Sequence, residues 1–132
     1  MFDWMKPKKK AAPVPPPPTS EAAEPPSLGV VEISAKELRK LLESPAPPLV
    51  LDVREPYELE ADGLIPDSVH IPMRFIPTRL ADLPKDRPVV VYCAAGVRSE
   101  QVAEFLLQKG YSDVKNLTGG IMAWNFTKPG KR

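Results

Sequence analysis

The chain has 132 residues, with 18 lysines and arginines against 17 aspartates and glutamates, and a formal net charge of +1. This length accommodates one domain of ordinary size, no apolar run approaches the roughly 20 residues that span a bilayer, and the balanced charge gives no reason to expect a nucleic-acid partner. Its one cysteine excludes an intrachain disulfide framework and a multi-cysteine metal site, and it fits a reducing compartment, so we predict a cytoplasmic location.

Proline is concentrated at the start of the chain, where residues 1–48 hold eleven of the 18 prolines. Residues 1–27 are therefore predicted to be a disordered or polyproline-II arm, with lysines first and glutamates after them. We favour a spacer role for this arm. The alternatives are docking of its prolines into an aromatic groove and contact of its lysine-rich start with an anionic membrane surface. The folded domain is placed at residues 28–127, and residues 128–132 form a short basic tail.

Regular apolar periodicity then predicts strands that alternate with helices. The predicted strands lie at residues 30–33, 49–53, 69–71, 89–92 and 114–117. The predicted helices lie at residues 34–42, 56–61, 75–83 and 99–109, with a last helical turn after Gly119. Ser34 and Glu37 match a capping box at the first helix. Such alternation predicts an α/β domain with a central, mostly parallel sheet flanked by helices.

Cys93 follows the strand predicted at residues 89–92, and functional sites of parallel sheets lie beyond the carboxyl ends of their strands. The residues after it are Ala94, Ala95, Gly96, Val97, Arg98 and Ser99. Small side chains let this loop curl with its N–H groups pointing inward, as an anion nest, and Arg98 adds a positive charge beside it. Both features should lower the pKa of the Cys93 thiol, and the thiolate is the nucleophile. The alternative is a buried, inert cysteine.

Four other positions carry charge or hydrogen-bonding groups near the predicted site. Ser99 is interpreted as a helix cap rather than a catalytic group. Asp52 and Arg54, at the end of a buried strand, are interpreted as a structural ion pair. Arg74 is a candidate rim contact for an anionic donor, although an ordinary surface arginine is the favoured interpretation.

Three more residues are assigned structural roles. Glu100 lies in the first turn of a helix, where a carboxylate is stabilising. His70 is expected to pack in a short strand, and Trp124 in the core.

A set of motifs in a fixed order resembles the rhodanese-like (sulfurtransferase) family. They are Leu51-Asp52-Val53-Arg54-Glu55, Ile71-Pro72, Val90-Val91-Tyr92-Cys93, Gly96-Val97-Arg98-Ser99, Gly110-Tyr111, Leu117-Thr118-Gly119-Gly120 and Ala123-Trp124. The resemblance covers about 100 residues and implies a single rhodanese-like domain. It also implies a cysteine that accepts a sulfane sulfur as a persulfide and passes it to a thiophilic acceptor.

One segment departs from the family pattern, because Gly63-Leu64-Ile65-Pro66-Asp67-Ser68 stands where the family often has Gly-His-Ile-Pro-Gly-Ala. No role is therefore assigned to a histidine there.

The sequence thus predicts a sulfurtransferase in which Cys93 takes sulfur from thiosulfate or a persulfide and gives it to cyanide, a thiol or a protein thiol. This scheme needs no cofactor and no metal. One alternative is a partner-binding module that uses the scaffold without turnover. Another is a phosphatase or arsenate-reductase-like enzyme, but related phosphatases have a cysteine-to-arginine loop one residue longer than residues 93–98. The sequence leaves the oligomeric state open.

Overall fold

A computed structural model describes residues 29–127. The predicted arm at residues 1–27 and the predicted basic tail at residues 128–132 lie outside the described residues. Within residues 29–127 no helix is long and apolar enough to cross a membrane. The cytoplasmic location stays a prediction.

The predicted α/β architecture is confirmed. The strands are β1 (Val31–Ile33), β2 (Leu49–Asp52), β3 (Val69–His70), β4 (Val89–Tyr92) and β5 (Val114–Leu117). The α-helices are α1 (Ala35–Leu42), α2 (Pro56–Asp62), α3 (Val97–Gln108) and α4 (Gly120–Phe126). Two short 3-10 segments, Met73–Thr78 and Leu80–Asp82, join β3 to β4.

The described strands form one parallel sheet in the order β1-β5-β4-β2-β3. The central strand β4 and its neighbour β2 are buried along their whole length, which explains their nearly continuous apolar sequences. Because all the strands run in one direction, their carboxyl ends meet at one edge of the sheet. Cys93 follows β4 at that edge.

The sheet is covered on both faces. One core cluster joins alternate residues of β2 and β4, such as Leu51 and Val91, to Val102 and Leu106 of α3. In the other cluster, the intervening residues of these strands pack against α1 and α4. Trp124 of α4 belongs to this cluster. This alternation follows from the two-residue period of a strand.

Local sequence signals account for several helix ends. At α1 the capping box is present as predicted: the Glu37 amide donates to Oγ of Ser34 (3.1 Å), and the Ser34 amide donates to Oε1 of Glu37 (3.0 Å). The single helix predicted at residues 75–83 is wrong, since two 3-10 segments replace it. Pro77 lies inside the first segment, and its ring disfavours the α conformation of the preceding residue, Ile76.

Helix α3 begins at Val97, two residues before the predicted start at residue 99. Gly96 is the N-cap residue and has a φ of 112°, a left-handed conformation that glycine adopts without steric cost. The predicted binding loop is therefore shorter than expected. Val97, Arg98 and Ser99 belong to the first turn of α3.

Candidate active site at Cys93

The sulfur of Cys93 lies in a pocket of main-chain amides. The residue is 1% exposed. Its Sγ accepts hydrogen bonds from the amides of Gly96 (3.1 Å) and Ser99 (3.4 Å). These amides belong to the loop and to the first turn of α3, where the helix dipole also favours negative charge.

Helix α4 fixes the orientation of the loop. The Ile121 amide donates to the carbonyl of Cys93 (2.9 Å), and the Met122 amide donates to the carbonyl of Ala94 (3.3 Å). Because the carbonyl and N–H of a peptide plane point in opposite directions, these contacts turn the following loop amides away from α4. Gly120 permits the close packing, since a Cβ there would lie 2.3 Å from the carbonyl oxygen of Cys93.

The pKa of the Cys93 thiol is lowered by this environment. Burial, the largest single influence, raises the pKa because it disfavours the charged form. The hydrogen bonds that a thiolate would accept from the Ser99 hydroxyl and from the amides of Ser99, Gly96 and Ala95 together outweigh burial. The net direction is the one that the sequence predicts, and it increases the thiolate fraction near neutral pH.

Arg98 is not a free cation at the edge of the loop. Its guanidinium forms a bidentate ion pair with Glu58 on α2, with Nη2 to Oε1 at 2.7 Å and Nη1 to Oε2 at 2.9 Å. The hydrogen bonds from Arg98 lower the pKa of Glu58 to about 2, while the same contacts raise the pKa of Arg98. The charge of Cys93 is a smaller cause of the raised Arg98 pKa, so the two groups are within electrostatic reach.

The prediction that Ser99 caps a helix is wrong. Ser99 is the third residue of α3, and Gly96 occupies the cap position. The buried Ser99 hydroxyl lies 3.3 Å from the Cys93 sulfur and donates a hydrogen bond to Oδ1 of Asn116 on β5. Asn116 was not identified from the sequence, although an amide two residues after Val114, on the same face of the strand, was a usable signal.

Asp52 and Arg54 form a fully buried ion pair, with Nη2 of Arg54 at 2.8 Å from Oδ2 of Asp52. The Tyr92 hydroxyl donates to the same carboxylate oxygen at 2.8 Å. Nη2 of Arg54 also donates to the carbonyl of Gly63 (2.8 Å), just after α2. The pair therefore connects the end of β2 with the helix that carries Glu58.

Arg74 is exposed and ion-paired with Glu55, and its guanidinium stacks over Phe75. The half-buried ring of His70 makes a 2.7 Å hydrogen bond through Nε2 to the carbonyl of Arg54.

Trp124 is 7% exposed and packs in the core beneath Arg39, whose guanidinium carbon lies 3.7 Å from the ring centroid. Glu100 lies in the first turn of α3, where burial and then the charges of Glu32 and Glu104 raise its pKa.

A cavity of about 420 Å³ lies elsewhere on the described domain. Its lining includes Arg39, Leu42, Arg87 and Trp124, and it contains no residue of the Cys93 loop. This cavity and the reactive sulfur are therefore separate features. The chemistry at Cys93 depends on a small amide pocket and not on this cavity.

Comparisons with known proteins agree on one family. The family model described as "Rhodanese-like domain" matches residues 34–127. A protein named "Sulfurtransferase" from Allochromatium vinosum is 46% identical over 95 residues, covering 72% of this chain and 88% of that protein. A "Putative sulfurtransferase YtwF" from Bacillus subtilis is 41% identical over 101 residues, covering 76% and 96%. The crystal structure of a rhodanese-like domain protein from Staphylococcus aureus gives a TM-score of 0.67 at 38% identity, covering 72% of this chain and 91% of that one.

Proposed function

The chain belongs to the rhodanese-like domain family, and from this premise we propose that it is a sulfurtransferase in which Cys93 carries the sulfur as a persulfide. The names of its relatives support sulfur transfer in general. The identity of the donor, the identity of the acceptor and the persulfide intermediate are our proposal.

The proposed cycle has two displacement steps. The Cys93 thiolate attacks the outer sulfur of thiosulfate or of a small persulfide, a new S–S bond forms, and the electron pair of the old bond leaves with sulfite or with a thiolate. A nucleophilic acceptor such as cyanide or a thiol then attacks the terminal sulfur. The S–S bond breaks, and its electron pair returns to Cys93 as the thiolate.

The observation that carries this proposal is the pair of amides, from Gly96 and Ser99, that donate to the Cys93 sulfur. They favour the charge on the attacking sulfur before the first step and on the leaving sulfur in the second step. An ionised sulfur needs no general base. His70, bonded to a main-chain carbonyl, has no part in the scheme.

The residues that follow Cys93, together with Arg74, are assigned to substrate binding from their positions in the chain. The substrate-binding segment is proposed to comprise Ala94, Ala95, Gly96, Val97, Arg98 and Ser99. Val97 is 69% exposed, which leaves an apolar side chain open at the start of α3 for the acceptor. Arg74 is the proposed rim contact for the donor. Its guanidinium is ion-paired with Glu55, which partly neutralises its charge.

The test combines turnover with the mass of the intermediate. Thiosulfate and cyanide are added to the full chain and thiocyanate is measured, with Cys93→Ser as the matched variant. We expect Cys93→Ser to lose the activity, and thiosulfate or a small persulfide to add the mass of one sulfur atom, about 32 Da, at Cys93 of the wild type. Equal activity of the two proteins would refute the proposal.

Two other outcomes would favour the alternatives. A Cys93 that gains no sulfur and reacts slowly with an alkylating reagent at neutral pH would favour a binding module without turnover. Hydrolysis of an aryl phosphate that depends on Cys93 would favour a phosphatase. The six-residue segment from Cys93 to Arg98 supports sulfur chemistry over phosphate chemistry, because phosphate has four oxygens to accommodate.

A further inference from the structure

Asn116 is held in one orientation by groups that can only accept hydrogen bonds. It is 3% exposed, and its Nδ2 donates to the carbonyl of Gly96 (3.1 Å) and to the Glu32 carboxylate (3.0 Å to Oε2). The Thr118 hydroxyl also donates to this carboxylate at 2.7 Å, which keeps Glu32 in place. Because neither partner of Nδ2 can donate, the amide oxygen of Asn116 must face the other way, toward Ser99.

The Ser99 hydroxyl has two neighbours and only one proton. Its Oγ donates to Oδ1 of Asn116 at 2.5 Å and lies 3.3 Å from Sγ of Cys93. In this arrangement the hydroxyl offers the sulfur a lone pair, which suits a protonated thiol as donor. To stabilise a thiolate, the hydroxyl must turn its proton to the sulfur and leave Oδ1 of buried Asn116 without its donor.

We propose that Asn116 is a positioning residue that competes with the Cys93 thiolate for the single proton of Ser99. Asn116 favours the protonated thiol, whereas the Gly96 and Ser99 amides favour the thiolate. The balance between the two therefore shifts the ionisation of Cys93, in addition to the effect of burial. This inference rests on the proposed function only in that Cys93 is taken as the reacting sulfur.

The competition also predicts that the Ser99 hydroxyl has two orientations during the sulfur-transfer cycle. It donates to Cys93 when the sulfur is a thiolate, before attack and after release. When Sγ becomes the inner atom of a persulfide, its charge moves to the terminal sulfur, and the Ser99 proton returns to Asn116. The buried amide of Asn116 is then fully satisfied in the sulfur-loaded state.

Charged groups surround this cluster, so the test must avoid changing their number. Glu32 approaches from β1, Glu100 and Glu104 from α3, and Arg98 with its partner Glu58 from the side of α2. Removal of any of these charges would change the ionisation of Cys93 by a direct electrostatic effect. Substitution of the neutral Asn116 leaves the number of charges unchanged. It removes the acceptor for the Ser99 proton and also the Nδ2 donor to Gly96 and Glu32, and the Ser99→Ala background measures this second effect by itself.

The experiment is a double-mutant cycle on the pKa of Cys93 in the full chain. Four proteins are titrated: wild type, Asn116→Ala, Ser99→Ala and the double variant. Thiolate formation is followed by its ultraviolet absorbance, with Cys93→Ala as the blank. Since Cys93 is the only cysteine, the signal belongs to one group.

We expect Asn116→Ala to increase the thiolate-to-thiol ratio at a fixed pH about tenfold, because the Ser99 proton becomes free for the sulfur. In the Ser99→Ala background the same substitution should change this ratio little, since no proton remains to be released. An equal change in both backgrounds, or a smaller ratio in Asn116→Ala, would overturn the proposal. A general loosening of the loop would act in both backgrounds.

A second substitution guards against a folding defect. Asn116→Leu keeps more of the buried volume and also removes the acceptor, and it should reproduce the Asn116→Ala result in both backgrounds. Circular dichroism of each variant identifies those that are folded. The titration does not depend on turnover, so absence of sulfur transfer would refute the proposed function and leave the proton competition standing.

Discussion

The pairing of Arg98 with Glu58 changes what the site offers to a sulfur donor. Both Nη atoms of the Arg98 guanidinium donate to the carboxylate of Glu58. An anionic donor therefore meets a neutralised ion pair instead of a free cation. The pKa of Glu58, about 2, keeps this carboxylate ionised at ordinary assay pH, and the pair is lost only as the pH falls toward that value. On the proposed function, we therefore expect the site to prefer a donor that carries little charge over the dianion thiosulfate.

Replacement of Glu58 by glutamine tests this interpretation at one residue. We expect Glu58→Gln to lower the KM for thiosulfate severalfold, because the freed Arg98 attracts the dianion, and to change kcat little. Stability should fall by less than about 1 kcal/mol, since Arg98 is 37% exposed and solvent screens the pair. Steady-state kinetics with Glu60→Gln, an exposed carboxylate on the same helix, is the control. A KM that is unchanged or raised relative to this control would contradict the expectation.

Among the elements, α4 has a role that its length does not suggest. This seven-residue helix binds the carbonyls of Cys93 and Ala94 through its first amides and so orients the loop that surrounds the sulfur. Gly120 makes the contact possible, having both a positive φ of 58° and no room for a side chain. The site therefore depends on an element that contributes no side chain to the Cys93 sulfur's hydrogen bonds.

Comparison of Gly120→Ala with a control variant should separate the effect of loop orientation on activity from the effect of backbone strain on stability. The new Cβ would lie 2.3 Å from the Cys93 carbonyl oxygen, so we expect a cost of about 1–2 kcal/mol from the left-handed backbone and about 1–3 kcal/mol more from the clash. The matched control is Gly110→Ala, with a φ of 100° and only the flexible end of Lys85 nearby, where only the backbone cost is expected. Sulfur transfer should fall in Gly120→Ala alone. Equal unfolding free energies and equal activities of the two variants would refute this role of α4.

The elements also show what sequence patterns could and could not predict. The strands, the capping box at Ser34 and the position of Cys93 after β4 follow from local signals, namely apolar periodicity and turn residues. The early start of α3 was missed because Gly96 acts as its cap in a left-handed conformation that the sequence does not reveal. The contacts of Arg98 with Glu58 and of Ser99 with Asn116 join residues 40 and 17 positions apart, which no local pattern specifies.

At the scale of the whole molecule, the site and the stability of the fold share one buried ion pair. Asp52 and Arg54 join the end of β2 to Tyr92 on β4, and Arg54 also binds the carbonyl of Gly63 after α2. Helix α2 buries none of its own residues in the core, so these polar contacts help to hold it against the sheet. We therefore expect the position of Glu58, and with it the ion pair of Arg98, to depend on the Asp52–Arg54 pair.

Asp52→Ala should therefore affect stability and the site together. It leaves the buried guanidinium of Arg54 without its partner, which we expect to cost about 3–5 kcal/mol, a large part of the roughly 5–15 kcal/mol that stabilises a domain. The matched control is Asp82→Ala, which breaks the exposed pair with Arg79 and should cost less than about 1 kcal/mol.

Urea unfolding checks the difference, because a lower midpoint at an unchanged m-value reports stability alone. The KM for thiosulfate of folded Asp52→Ala should then shift in the direction expected for Glu58→Gln, since α2 no longer holds Glu58 firmly against Arg98. Equal midpoints for the two aspartate variants would show that the buried pair is dispensable. A lower midpoint with an unchanged KM would show that α2 keeps its place without the pair, and that the fold and the site are stabilised independently.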